Sequence, residues 1–222
     1  MSFKAGGWIF VFIGTLFLLI GLGIVWVGFS TRSQVNNLGS QPLWKLSDLQ
    51  TGSVGASGVF EGQVSENNPL LFRGFVAYWQ ELYEGEDCSR DSDGDTDCTS
   101  IWTLQARQIP PISLDLPAGR VKIINADYAI LYPTTWQNQA HLVEFVTKRT
   151  SGLEVGHPVF VKATLGSAGE TPTLQAEFVA GLNRADYLAA ERVSALGFLI
   201  FGGIFALVGG GLLFGWILSH RL

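Results

Sequence analysis

Two segments of this chain carry no charged residue and are long enough to cross a lipid bilayer. Residues 7–29 form an uncharged run of 23 residues, and residues 193–218 form a second run of 26. At 1.5 Å per residue, a helix built from either run exceeds the roughly 30 Å hydrocarbon core of a membrane. The first run is too long for the apolar part of a cleaved signal peptide, and no small-residue cleavage site follows it. The sequence therefore predicts a membrane protein whose first transmembrane helix lies within residues 1–29.

Two crossings place both termini on one side of the membrane and residues 30–192 on the other. The basic residues near the two segments are too evenly spread to decide which side is which. The chain contains only two cysteines, Cys88 and Cys98, and a lone pair of this kind suits an oxidising compartment. We therefore expect cytoplasmic termini and an extracytoplasmic central domain in a cell membrane of the bacterial inner-membrane type.

The central region is typical of a β domain. A linker at 30–50 precedes short runs of β-branched and aromatic residues, which Gly, Pro, Asn and Asp separate through residues 51–182. Eight strands are predicted, at 56–64, 74–84, 101–109, 112–116, 120–125, 142–146, 158–165 and 173–180. Eight short strands with tight turns predict a small barrel or sandwich, OB-like barrels included. Asn183 has the character of an N-cap, so residues 183–222 are expected to form one helix that contains the second transmembrane segment.

No arrangement of residues in the sequence is typical of a catalytic, metal or nucleotide site. The three histidines, His141, His157 and His220, have no partner at metal-ligand spacing. No phosphate-binding glycine motif and no nucleophile elbow occur. A pI near 5.1 argues against nucleic-acid binding. Pumps and carriers usually have ionisable residues within their membrane segments, and neither apolar segment of this chain has one. We therefore expect no enzyme and no cofactor, apart from the calcium considered next.

The most unusual stretch is EDCSRDSDGDTDCTS, residues 86–100. Seven acidic residues and one arginine between positions 84 and 97 give a net charge of −6, against −5 for the whole chain. The predicted strands on either side make residues 85–100 the tip of a hairpin, and cysteines that face each other across a hairpin can form a disulfide. The segment is therefore a calcium loop, a disulfide-pinned tip or a solvated acidic loop.

A calcium site would use Asp91, Asp93, Asp95 and Asp97. An EF-hand register that starts at Ser89 places these aspartates and Gly94 correctly, but serines then occupy positions 1 and 12. D-x-D-G-D-x-D also resembles the repeats of extracellular calcium modules, which occur in arrays, whereas this copy is single. Calcium therefore stays one alternative beside a solvated tip.

Glycines suggest how the two apolar helices pack. Gly7, Gly14, Gly21 and Gly28 recur every seven residues, which is the period of one packing face in a left-handed helix pair. Gly202, Ala206 and Gly210 form small-xxx-small steps in the second segment. We predict packing through Gly14 and Gly21 on one helix and Gly202, Ala206 and Gly210 on the other. The same faces would alternatively join copies of the chain or another membrane protein, and composition alone is the remaining explanation.

The order and spacing of four stretches resemble a known family. They are SDLQTGSVGASGVFEGQV, NPLLFRGFVAYWQELYE, IWTLQARQIPPISLDLPAGRVKIINADYA and SGLEVGHPVFVKATLG. This pattern, over residues 46–218, is similar to the GIDE or beside-a-membrane (BAM) domain. That domain is the membrane-side part of mitochondrial membrane-anchored RING ubiquitin ligases, and it also occurs in bacteria without a RING. The resemblance implies two spans that frame an extracytoplasmic β domain, and it supplies no catalytic residue. Only residues 219–222 follow the second segment, so we expect no ubiquitin transfer.

Three functions follow, in order of preference. The first is a non-enzymatic two-span protein whose β domain binds or scaffolds a partner at the membrane surface, as an accessory subunit of a larger complex. The second is a calcium-responsive sensor or adhesion module that acts through the acidic hairpin. The third is a hydrolase whose site assembles only in the folded chain.

Overall fold

The computed structural model describes residues 4–90, 93–138 and 147–221, and the chain divides into two compact units. One unit contains residues 1–41 and 185–222, and the other contains residues 42–184. The helices are α1 (Lys4–Ser40), α2 (Leu46–Thr51) and α3 (Arg184–Arg221). The strands are β1 (Ser57–Val64), β2 (Phe75–Arg90), β3 (Thr96–Gln108), β4 (Ile112–Leu116), β5 (Gly119–Ile123), β6 (Ala129–Leu131), β7 (Thr134–Asn138), β8 (Lys148–Glu154), β9 (Pro158–Ser167) and β10 (Thr173–Ala180).

The helical unit contains two long apolar helices. Phe10–Ser40 and Arg184–Leu218 are long and apolar enough to cross a membrane, which by itself is weak evidence that they do. α1 continues through residues 30–40, which the sequence analysis assigned to a linker. A helix that has already formed extends at little cost, and the first proline of the chain is Pro42, so nothing stops α1 earlier.

The β domain is built on a closed five-stranded barrel. Its strand order is β5-β4-β1-β9-β10, and a parallel pairing of β10 with β5 closes the circle. Apolar residues alternate along these strands, as in the buried, exposed pattern of β10, and their inward side chains form the core. Among the predicted alternatives, a barrel is confirmed.

β2, β3, β7 and β8 form a separate four-stranded sheet in the order β3-β2-β8-β7, which we call the second sheet. The chain enters it between the first two barrel strands, through β2 and β3, and again between β5 and β9, through β7 and β8. β6, β7 and β8 were not predicted from sequence. The predicted strand at 142–146 lies outside the described residues.

Candidate interaction site

The two long helices contact each other through small residues that recur every seven positions on both. A methyl group at Gly14 would lie 3.1 Å from the carbonyl oxygen of Gly209, and one at Gly21 would lie 2.7 Å from that of Gly202. At Gly28 the same addition would lie 3.1 Å from the Ala195 carbonyl oxygen. We call the set Gly14, Gly21, Gly28, Ala195, Gly202 and Gly209 the glycine seam. Such close backbone approach is possible only where side chains are absent or very small.

Ala206 also lies on the seam, but the predicted Gly210 does not. A methyl group at Gly21 would approach the α-carbon of Ala206 to 2.9 Å, whereas one at Gly210 would meet nothing within 4 Å. At 100° per residue, Gly209 lies about 20° from Gly202 around the helix and Gly210 about 80° from it. The seven-residue spacing of α1 is therefore matched on α3 by Gly202 and Gly209. A four-residue spacing from Gly202 instead reaches Gly210, which points away from α1.

The predicted disulfide is confirmed. Cys88 lies directly opposite Cys98 in the β2–β3 ladder, and the two are bonded with their α-carbons 4.1 Å apart. The bond lies within the acidic hairpin, residues 85–100, whose described side chains beyond Gly85 are all exposed. Arg90 donates a hydrogen bond from Nε to the Gly94 carbonyl oxygen at 3.2 Å, which ties the base of the turn together.

The calcium prediction is only partly covered by the described residues. Asp91 lies outside them, and Asp93, Asp95 and Asp97 lie at the exposed end of the hairpin. Glu86 approaches both Cys88 and Cys98, but bonded sulfurs have no thiolate to offer an ion, so this cluster is not a metal site. Calcium binding by the aspartates stays a prediction.

The second sheet carries a cluster of aromatic and charged side chains on one face. Tyr83 and Trp102 face each other across β2 and β3, with ring centroids 5.3 Å apart. The Arg149 guanidinium lies 4.2 Å from the Trp102 ring centroid and donates two hydrogen bonds to the Glu81 carboxylate, at 2.7 and 3.2 Å. The arginine holds the pKa of Glu81 below its ordinary value, against the opposing effect of burial. We call Glu81, Tyr83, Trp102 and Arg149 the tryptophan cluster.

The cluster is not buried. Beyond Ala77, every residue of β2 is half-buried or exposed, and Ile101 and Leu104 of β3 are 43% and 56% exposed. Tryptophan, tyrosine and arginine are the residues that most often carry binding energy at protein interfaces. The arrangement therefore has the composition of a docking surface. The sequence analysis contained Trp102 only within a stretch that resembles the GIDE domain, because the arginine that contacts Trp102 comes from β8.

A second cation lies over an aromatic ring at the start of the same sheet. The Arg73 guanidinium lies 4.0 Å from the Trp136 ring centroid and 5.7 Å from that of Phe72. Phe72 also packs against Tyr78 at 5.7 Å. Within the described residues, the second sheet thus holds two arginine–tryptophan pairs, one based on β8 and one on the loop before β2.

A histidine and a shallow cleft are the features of the described β domain nearest to a catalytic arrangement. His157 approaches Thr134 through Nδ1 at 3.2 Å and Glu154 through Nε2 at 3.6 Å, and the second distance is too long for a hydrogen bond. A shallow cleft of about 470 Å³ is lined by Glu61, Gly62, Gln63, Asp115, Leu116, Pro117, Pro158, Val159 and Asn183. Asp115 is already paired with Arg120, whose Nε lies 2.7 Å away, and Glu61 accepts the Arg184 backbone N–H. Both acids of the cleft therefore already have a partner within the chain.

Comparison with models of known protein families, with curated proteins and with solved structures gives no match. The resemblance to the GIDE domain therefore stays an expectation drawn from the sequence.

Proposed function

We propose that this chain is a non-enzymatic two-span membrane protein whose β domain docks a protein partner at the membrane surface through the tryptophan cluster. The chain would then act as a scaffold or accessory subunit of a larger membrane complex. The order of helix, β domain and helix, with an OB-like barrel between the spans, is the architecture that a beside-a-membrane domain implies.

The surface of the helical unit supports the membrane part of the proposal. Large apolar side chains point away from the protein along both helices, among them Trp8, Trp26 and Leu207 at 72%, 76% and 78% exposure. Contact between this apolar area and water is unfavourable, whereas contact with lipid tails is not. The glycine seam supplies the close packing that holds two helices together where the hydrophobic effect cannot.

The disulfide supports an extracytoplasmic β domain, because such bonds persist in oxidising compartments and are rare in the cytosol.

Protease added to the outside of intact cells should cut between residues 42 and 184, and protease added to inverted vesicles should not. Cleavage in this region from the cytoplasmic side alone would overturn the orientation.

One observation carries the binding proposal, namely that the half-buried tryptophan cluster lies at the surface of the second sheet, beside the exposed side chains of Ile101 and Leu104. Tyr83, Trp102 and Arg149 contact one another without the support of a covering element among the described residues. Partly exposed aromatic rings beside the exposed Ile101 and Leu104 leave apolar area in contact with water, which a protein partner would cover.

The test is recovery of a partner from native membranes by affinity purification and quantitative mass spectrometry. Trp102→Ala should lose any stoichiometric partner that the wild type retains. Thr103→Ala, on the opposite side of the same strand, is the matched control and should retain it. A wild-type chain that recovers no partner, or a partner held equally by both variants, would contradict the proposal.

A further inference from the structure

The loop between β1 and β2 displays two consecutive leucines to solvent. Leu70 is 64% exposed and Leu71 is 37% exposed, and Phe72 follows them. We call residues 69–73 the apolar loop. Leu70 leaves most of its side chain uncovered and Leu71 leaves about a third, so burial within the chain does not account for Leu70.

The apolar loop is held on both sides. On one side the Asn68 side chain is buried, donates to the carbonyl oxygens of Ser65 and Ser113, and accepts the Ser113 N–H at 2.7 Å. On the other side Arg73 and Gly74 have φ angles of +44° and +93° and form a two-residue turn closed by hydrogen bonds between Phe72 and Phe75. The leucines are therefore presented by an ordered support.

The residues around the apolar loop match a membrane interface. Arg73 stacks on Trp136, and Tyr78 packs against Phe72, so a cation, an indole and a phenol surround the apolar apex. Tryptophan, tyrosine and arginine concentrate at the headgroup level of bilayers, while leucine and phenylalanine enter the acyl region.

The distribution of charge within the β domain indicates which end of it would face a membrane. β2 begins at Phe75, immediately after the apolar loop, and runs 16 residues to Arg90 in the acidic hairpin. At about 3.3 Å per residue, the loop and the acidic tip lie about 50 Å apart along the strand. An anionic membrane surface repels the end that carries a net charge of −6, whereas the loop end combines Arg73 with Glu66 and Glu154 and is repelled far less.

The apolar loop also leaves the barrel at the same end as the chain that enters α3. Gln63, near the end of β1, pairs with Pro158 at the start of β9, and Ala180 at the end of β10 pairs with nearby Phe160. The connection to α3 and the apolar loop therefore both start from this end of the barrel.

We propose that the apolar loop inserts into the interface of the bilayer crossed by α1 and α3, with Leu70 and Leu71 at the acyl boundary and Arg73 at the phosphates. This inference rests on the membrane crossing in the proposed function. Insertion of two leucines alone gives weak binding, but the covalent link to the spans makes it intramolecular, so weak binding suffices. The acidic hairpin is then directed away from the lipid.

The test uses the full chain in vesicles of phosphatidylcholine and phosphatidylglycerol in equal parts. A polarity-sensitive NBD fluorophore is attached to one engineered cysteine at a time, and the native disulfide leaves no competing thiol. Leu70→Cys is the test position. Val54→Cys, on a different loop and equally exposed at 67%, is the aqueous control, and Leu22→Cys in α1 is the membrane control.

The probe at residue 70 should show a blue-shifted emission and loss of signal with lipid-attached nitroxide quenchers, while the probe at residue 54 shows neither. Leu71→Cys should repeat the result, which guards against a local effect of one substitution. Probes at 70 and 54 that both report water, with residue 22 in lipid, would overturn the loop proposal alone. A blue shift at 70 without lipid quenching would overturn it in favour of a protein contact. A probe at 22 in water would overturn the membrane crossing itself.

Discussion

Substitution of two adjacent glycines in α3 gives the sharpest test of the helix pair. Gly209 lies on the glycine seam, where an added methyl group would lie 2.6 Å from the Gly14 carbonyl oxygen. Gly210 is its neighbour in sequence, and a methyl group there meets nothing within 4 Å. Gly209→Ala and Gly210→Ala therefore add the same atom to the same helix, in a tight contact and in open space.

The expected difference follows from the geometry. Ordinary contacts of a methyl carbon begin near 3.4 Å, so Gly209→Ala forces the two helices apart by nearly 1 Å. Overpacking of a well-packed contact costs about 1–3 kcal/mol. The intrinsic preference of a helix for alanine over glycine, about 1 kcal/mol in water, is common to both variants and cancels in the comparison. The difference between them should thus be about 1–3 kcal/mol, with Gly209→Ala the less stable.

The assay is an SDS titration of the protein in mild detergent, followed by energy transfer between fluorophores at the two ends of the chain. Separation of α1 from α3 should begin at lower SDS for Gly209→Ala than for Gly210→Ala. Gly21→Ala against Gly23→Ala repeats the comparison on α1, since Gly23 also faces open space. Equal midpoints within both pairs would refute the seam as the contact that holds the helices together.

Three further outcomes are expected in the β domain. Cys98→Ser should loosen the acidic hairpin by up to about 2–3 kcal/mol and speed hydrogen exchange there while the barrel stays protected, and a uniform change would contradict this. Calorimetric titration of the full chain with calcium decides between the two alternatives for the tip: heat that Asp97→Asn reduces indicates a calcium site, and a flat wild-type trace at millimolar calcium indicates a solvated tip. Arg149 lowers the pKa of Glu81, so charged Glu81 stabilises the fold above its ordinary pKa of 4.5, and this contribution is lost as the pH falls through the lowered value. Glu81→Gln should therefore lower the melting temperature at neutral pH, and the difference from wild type should shrink in acid.

The sequence predicts the barrel better than the second sheet, for a physical reason. β4 and β10 begin and end where predicted, because one face of each is buried and their residues alternate accordingly. β7 and β8, with the sequences TTWQN and KRTSGLE, have no such alternation. β8 forms because β2 offers it a ladder, and β7 pairs in turn with β8; a pairing between distant segments leaves no periodic signal in either one.

The candidate sites divide in the same way. The disulfide could be predicted because both cysteines belong to one hairpin, and the α1 face because its glycines repeat at a fixed period. The tryptophan cluster could not, since Glu81 and Arg149 are 68 residues apart and their contact depends on the register of β8 on β2. Gly209 was not predicted, because the sequence analysis followed small residues spaced four apart in α3. The residues that contact α1 are spaced seven apart, like the glycines of α1.

The location of the second sheet within the chain also bears on function. The barrel closes on itself and leaves no free edge among its five strands, whose inward side chains form the core. β2 and β3 are inserted between the first two barrel strands, and the barrel core draws on only the first residues of β2. Under the proposed function, the aromatic residues of this insertion contact a partner outside the chain. The apolar loop and the tryptophan cluster follow each other along this insertion. The apolar loop would then contact lipid, and the tryptophan cluster would contact a protein.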